Sequence, residues 1–165
     1  VRDLYNLSHA LDYRPVNDAS GWVHVITDLW TVHNYEQDAN RLREILTMKP
    51  DGSVFQNGRP DEEPRYSGQP YFIDEWGGIK WVVGKQYAEN TWGYGEGPKT
   101  EEEFYTRLEA LTDAIVSIPH MMGHCYTQLT DVEQEQNGIY NYDRTPKFDM
   151  KRIKAILSKK PQSKK

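Results

Sequence analysis

The sequence predicts an α/β fold built from parallel β/α units. Three observations predict it. Segments with apolar residues at helical spacing recur along the chain, separated by short runs of strand formers. Their order is helix, strand, loop, strand, helix, strand, helix, strand, helix, the alternation of a parallel sheet with helices packed outside. Polar side chains collect where the strands should end, which is where α/β folds place their chemistry.

Each element has its own warrant. Leu4, Leu7 and Leu11 have helical spacing, so residues 2–11 read as a helix. Arg14 to Asp18 reads as a short strand, and Ala19-Ser20-Gly21-Trp22 as a loop. Residues 27–33 form the next expected strand, with Asn34 to Gln37 as its exit. Asp38 is placed to N-cap a helix that buries Leu42, Ile45 and Leu46. Residues 49–69 carry repeated Pro and Gly and read as one long loop, a length that usually signals function or a linker.

Pro70 to Glu75 reads as a buried strand that ends in an acid and leaves through Gly77-Gly78. Ile79 to Val83 extends that strand or forms an irregular segment, and Trp92 to Pro98 is a loop. Thr100 and Glu103 form a capping box. The helix behind it repeats Phe104, Leu108, Leu111, Ile115 and Ile118 until Pro119 ends it. Met121 to Leu129 is the last strand, residues 139–142 a short extended piece, and Asp149 caps a helix presenting Met150, Ile153, Ile156 and Leu157. Residues 1–158 make one domain; 159–165 are a basic tail expected to be disordered. Four strands are half the number that closes an eight-stranded barrel.

Composition narrows the function classes. No run approaches the ~18 apolar residues of a membrane helix, and a mean hydropathy of -0.84 fits a soluble chain. The single Cys125 excludes an intramolecular disulfide framework. Residues 147–165 hold eight Lys or Arg and one Asp, so the remainder carries -12. That basic end lacks interleaved aromatics and any nucleic-acid motif, and reads as a surface helix and tail. Neither a nucleic acid nor a membrane is an expected partner. No signal peptide is visible, and compartment stays unassigned. The start, Val1-Arg2-Asp3-Leu4, has no methionine and reads as the middle of a longer chain.

Under this reading Asn17 and Asp18, then His33 and Tyr35, then Glu75, then Gln128 and Asp131 fall at four successive strand exits. Two carboxyls flanking a glycosidic bond are the equipment of glycoside hydrolysis, and Glu75 is the candidate nucleophile. A strand-end glutamate in a salt bridge is the competing reading. Tyr35 is either a hydroxyl that holds Glu75 ionised and oriented or a half-buried packing residue. His120 and His124 have i, i+4 spacing without HExxH or a Cys/His array, so a structural or surface role is favoured over a metal.

These residues resemble glycoside hydrolase family 2, the β-galactosidases, β-glucuronidases and β-mannosidases. The resemblance runs through Arg14-Pro15-Val16 with Gly21-Trp22, Thr27-Asp28 to Tyr35, Gly68 to Gly78, Gly123 to Gln128, and Tyr142-Asp143-Arg144-Thr145-Pro146-Lys147. It implies the second half of a (β/α)8 TIM barrel, with residues 14–18, 27–33, 70–75 and 121–128 as strands five to eight. It implies Glu75 as nucleophile and Tyr35 as the tyrosine that contacts it. Tyr126 and Gln128 fall where the family places pocket residues, and the expected substrate-binding set is His33, Asn34, Trp76, Tyr126, Gln128 and Asp131. The partner is a carbohydrate.

The departures define the rest. The family's acid/base glutamate follows an asparagine after strand four, and no Asn-Glu pair occurs here. The first half of the barrel is therefore an expected partner, without which the chain is expected to be inactive. The Asn-x-Lys pair of family glucuronidases has no counterpart in Glu135-Gln136-Asn137-Gly138, which points to neutral sugars, β-galactosides first. No cofactor is expected of this chain; Mg²⁺ or Na⁺ occurs near the site in some family members. Open sheet edges predict self-association. A carbohydrate-binding module or a structural domain descended from a glycosidase are the alternatives.

Overall fold

The computed structural model describes residues 1–59, 61–83 and 90–161. Its elements are α1 (Arg2–Leu11), β1 (Trp30–Asn34), α2 (Ala39–Leu46), β2 (Tyr71–Gly77), α3 (Glu101–Val116), β3 (Met121–Thr127) and α4 (Met150–Leu157). The strands form one parallel sheet in the order β1-β2-β3. The α/β class with parallel units is thus present, with three strands among the described residues.

The helices begin where capping chemistry places them. Asp38 accepts from Arg41 N, Thr100 from Glu103 N and Asp149 from Lys151 N, each satisfying a first-turn donor. Glu103 reaches back one residue further than a capping box requires, to Lys99 N at 2.7 Å. One face of α3 is buried through Phe104, Leu108, Leu111 and Ile115. It packs against α2, which buries Leu42 and Leu46 while Ile45 stays half-buried. Phe148 stacks on Phe104 at 4.1 Å and brings α4 alongside. The sheet adds Trp30, Val32, Tyr71, Ile73 and Met121 to this core.

The strand expected at 14–18 does not form. Pro15 has no N–H to give a ladder, and Asp18 spends its carboxylate on His24 Nδ1 (2.7 Å), Val25 N (2.6 Å) and Ile26 N (3.0 Å). Segment 12–29 is held by side chains instead. Asp28 binds Val16 N, Tyr5 Oη and His9 Nε2, tying α1 to the loop. The Leu4, Leu7 and Leu11 face of α1 is exposed, because no described element lies against it.

That segment and Asn57 of the loop between α2 and β2 together close the outer edge of β1, where the strand 14–18 was expected. Thr31 and His33 point their backbone groups away from β2. The Thr31 N–H and C=O both meet His24 Nε2, at 3.3 and 3.0 Å, so one imidazole nitrogen serves one of them at a time. His33 N–H donates to Asn57 Oδ1 and its C=O accepts from Asn57 Nδ2, both at 2.7 Å. A side-chain amide thereby replaces the missing neighbour strand.

Residues 79–83 are irregular and leave the strand, with Ile79 bridging Tyr94. Residues 139–142 make only an isolated bridge pair through Tyr140. Lys159, expected in the tail, pairs with Glu109 and Asp113 of α3 at 2.9 and 2.6 Å; residues 162–165 lie outside the described residues. Among the described residues no helix is long and apolar enough to cross a membrane.

Candidate active site

The site is made by a bulge. Val32 pairs with Ile73, but the next residue, His33, pairs with Glu75, leaving Asp74 as an extra residue in β2. Burial along β2 shows the result: Tyr71 and Ile73 are buried, Asp74 and Glu75 are both half-buried, and Trp76 is buried again. Without the bulge, period-2 alternation would send Glu75 into the core with Ile73. With it, Glu75 joins Asp74 on the face away from the helices, and both lie beside one imidazole. His33 Nδ1 lies 3.2 Å from Glu75 Oε2, and His33 Nε2 lies 3.4 Å from Asp74 Oδ1.

Tyr35 completes the arrangement from the loop after β1. Its hydroxyl donates to Glu75 Oε2 at 2.5 Å. Its ring stacks on Tyr94 at 3.5 Å and 5°. Burial, then the hydrogen bond to the Glu75 carboxylate, pushes the Tyr35 phenol far up, so it remains a donor. Glu75 itself keeps 38% of its side chain exposed, so the carboxylate is held from one side and open on the other. A carboxylate oriented in this way can act as a nucleophile or stabilise a developing cation.

Asp74 is in a different state. Its side chain is 14% exposed. Burial raises its carboxyl above the usual range, against a hydrogen bond from Ser20 Oγ (2.7 Å) and the His33 imidazole. Ser20 Oγ is also 3.1 Å from His33 Nε2. Two carboxyls on either side of one histidine, one of them desolvated, make a polar cluster at the C-terminal end of the sheet.

The backbone leaves β2 through Gly77 and Gly78, both in the left-handed region (φ 84° and 58°). A Cβ at Gly77 would strike the Tyr126 ring and one at Gly78 the Tyr94 ring, so this exit needs glycine for space as well as for angle.

The expected binding residues divide. His33 lies in the site. Asn34 is half-buried and accepts from Glu36 N, shaping the loop that carries Tyr35. The rest face elsewhere. Trp76 is fully buried, because the bulge turns it to the helix side, where it packs on His124 and Tyr126. The Tyr126 hydroxyl donates to Asn137 O and accepts from Ile79 N, and burial raises its phenol. Gln128 Nε2 donates to Asn137 Oδ1. Asp131 is 5% exposed and binds Lys147 Nζ at 2.6 Å and Gly138 N at 2.9 Å. Lys147 also donates to Trp81 O, and its own side chain is fully buried. Burial lowers the Lys147 ammonium despite the Asp131 partner. These groups brace the loop over the sheet end.

Sequence reasoning missed Ser20 and Asp74. A half-buried acid beside Glu75 was visible in Asp74-Glu75, but strict alternation hides the bulge that brings both to one side. Among the described residues no three or more His, Cys, Asp or Glu are arranged to hold a metal ion.

No protein-family model and no curated protein matches the chain. Solved structures do. A β-glucuronidase from Bifidobacterium dentium, complexed with coumarin-3-O-glucuronide, aligns with a TM-score of 0.60 at 18% identity over 98% of this chain. A β-glucuronidase from an uncultured Clostridium sp. aligns at 0.58 and 16% over 93%. The chain spans 27% and 28% of those two proteins. At such identity the likeness is one of fold: the chain has the α/β architecture of one part of those structures, consistent with part of a TIM barrel.

Proposed function

We propose that the chain is the nucleophile-bearing section of a retaining β-glycosidase of the glycoside hydrolase family 2 type. One observation carries the reading: a solvent-open Glu75 at the end of a parallel strand, with one oxygen hydrogen-bonded by Tyr35 and His33 Nδ1 3.2 Å from the same oxygen. Glu75 attacks the anomeric carbon and forms a glycosyl-enzyme. A second carboxyl protonates the leaving oxygen and then activates water; retention requires the two about 5–5.5 Å apart. We assign that second carboxyl to chain outside these residues, so the 165-residue chain alone should turn over no glycoside.

β-Galactosides are the first substrate class. Asn137 is fully buried, with its amide bound to Gln128 and Glu135, and Lys147 is consumed by Asp131. Neither is free to grip a sugar carboxylate, which supports a neutral sugar despite the glucuronidase likeness.

The test uses the full-length protein and a 2-deoxy-2-fluoro-β-galactosyl fluoride. The trapped sugar should be found by mass spectrometry on the peptide holding Glu75. Glu75→Gln should lower aryl β-galactoside hydrolysis by at least about 10³-fold. A Glu75→Gln enzyme with full activity would sink the assignment. Glycan binding without turnover would favour a binding module instead.

A further inference from the structure

We infer that Trp22 is the stacking platform for the sugar ring that Glu75 attacks, an inference that rests on the glycosidase reading. Trp22 is 58% exposed, so its indole contributes little to the core. Yet the loop that carries it is fixed on both sides. Ser20 Oγ donates to Asp74 Oδ2 at 2.7 Å, and Gly21 N donates to Thr31 Oγ1 at 2.8 Å. Gly21 has φ 63°, and a Cβ there would run into the His33 imidazole. After Trp22, Asp18 holds the next turn through Val25 N and Ile26 N. Ordering a loop costs backbone entropy of about 1–2 kcal/mol per residue, and here it presents a large flat side chain to solvent.

Where the indole stands gives the loop its purpose. Its ring lies edge-on to His33, centroids 6.4 Å apart at 79°. His33 Nδ1 is 3.2 Å from Glu75 Oε2. Trp22 is thus one side chain away from the nucleophilic oxygen. The other strongly exposed tryptophan, Trp92, is separated from Glu75 by the rings of Tyr94 and Tyr35. A pyranose has a polar rim and an apolar C–H face. The rim suits His33, Asp74 and Ser20, while the face suits an exposed indole whose π-cloud is negative. The ligand class is the glycone of a β-glycoside, not its leaving group.

The experiment uses the full-length protein and its Trp22→Ala, Trp22→Phe and Tyr13→Ala variants. Free galactose is titrated as a competitive inhibitor, and kcat/KM is measured on aryl β-galactosides with a small and a large aglycone. If another aryl β-glycoside is preferred, that substrate and its free sugar replace them. Trp22→Ala should raise the Ki of the free sugar about tenfold and lower kcat/KM about tenfold for both aglycones alike. Trp22→Phe keeps an aromatic face and should lose about two- to threefold. Tyr13, 95% exposed on the loop after α1, should change nothing. A Trp22→Ala Ki within twofold of the parent, with Glu75→Gln still inactive, overturns the inference and leaves the glycosidase reading standing. A loss confined to the large aglycone overturns it too. An active Glu75→Gln enzyme overturns both. Should Trp22→Ala fail to fold, Trp22→Phe decides: a raised Ki supports the platform and an unchanged one refutes it.

Discussion

Replacing Lys147 by Met tests whether Asp131 braces the site or belongs to it. Lys147 Nζ reaches Asp131 Oδ1 at 2.6 Å and Trp81 O at 2.7 Å, with the lysine side chain fully buried and that of Asp131 5% exposed. Methionine fills most of the same volume but supplies no donor. Asp131 would keep the Gly138 N–H at 2.9 Å and lose its counter-charge, and the Trp81 carbonyl would lose its partner. Removing one member of a buried pair costs about 3–5 kcal/mol, because the remaining charge stays desolvated. The cost should appear locally, since these bonds fasten residues 131–138 to residues 81 and 147. Hydrogen exchange by mass spectrometry is the assay. Amides of the 128–140 segment should exchange roughly 10²–10³-fold faster in Lys147→Met at pH 7. Asp131→Asn/Lys147→Met should recover more than about 1 kcal/mol relative to the summed single changes, because the stranded charge is gone. Unchanged exchange together with a large rise in KM would refute this reasoning and return Asp131 to the substrate.

Tyr35→Phe removes the 2.5 Å donor to Glu75 while keeping the ring stacked on Tyr94. A hydrogen bond to a charged group contributes about 1.5–3 kcal/mol, so kcat/KM should fall roughly 10- to 100-fold with folding unchanged; a loss under twofold would show that Glu75 is oriented without it. Asp74→Asn addresses stability against pH. Burial raises the folded-state pKa of Asp74 above its ordinary value of 3.8. Its stabilising contribution is therefore complete below 3.8 and is lost as pH rises through the folded-state pKa. The Asn variant should melt higher than the parent at pH 7, with the gap closing near pH 3.5, as calorimetry at the two pH values would show; an equal gap at both would contradict a protonation effect.

The helices were legible because their signals are local. Asp38, Thr100 and Asp149 cap where the sequence says, and the α3 repeat from Phe104 to Ile115 is the buried face. The contact between Tyr35 and Glu75 was legible through a resemblance, not through spacing. What escaped depends on pairs distant in sequence. Arg14 to Asp18 looks like a strand until Asp18 meets His24 and its following turn. Trp76 looks like a pocket residue until an extra residue in β2 changes the side of everything after it. One inserted position reverses which side chains face inward, and no single-strand pattern reveals it.

The amide of Asn57 on His33 has a consequence for the long loop between α2 and β2. That loop has no catalytic candidate of its own, yet through Asn57 it holds both backbone groups of the residue whose imidazole lies between Asp74 and Glu75. It works as a mounting bracket: a tether 24 residues away in sequence sets the height of the imidazole above the sheet. A change in this loop that moves Asn57 would then tilt His33 against Asp74 and Glu75 without altering either carboxylate. The placement of one side-chain amide in a surface loop thus fixes where the imidazole stands.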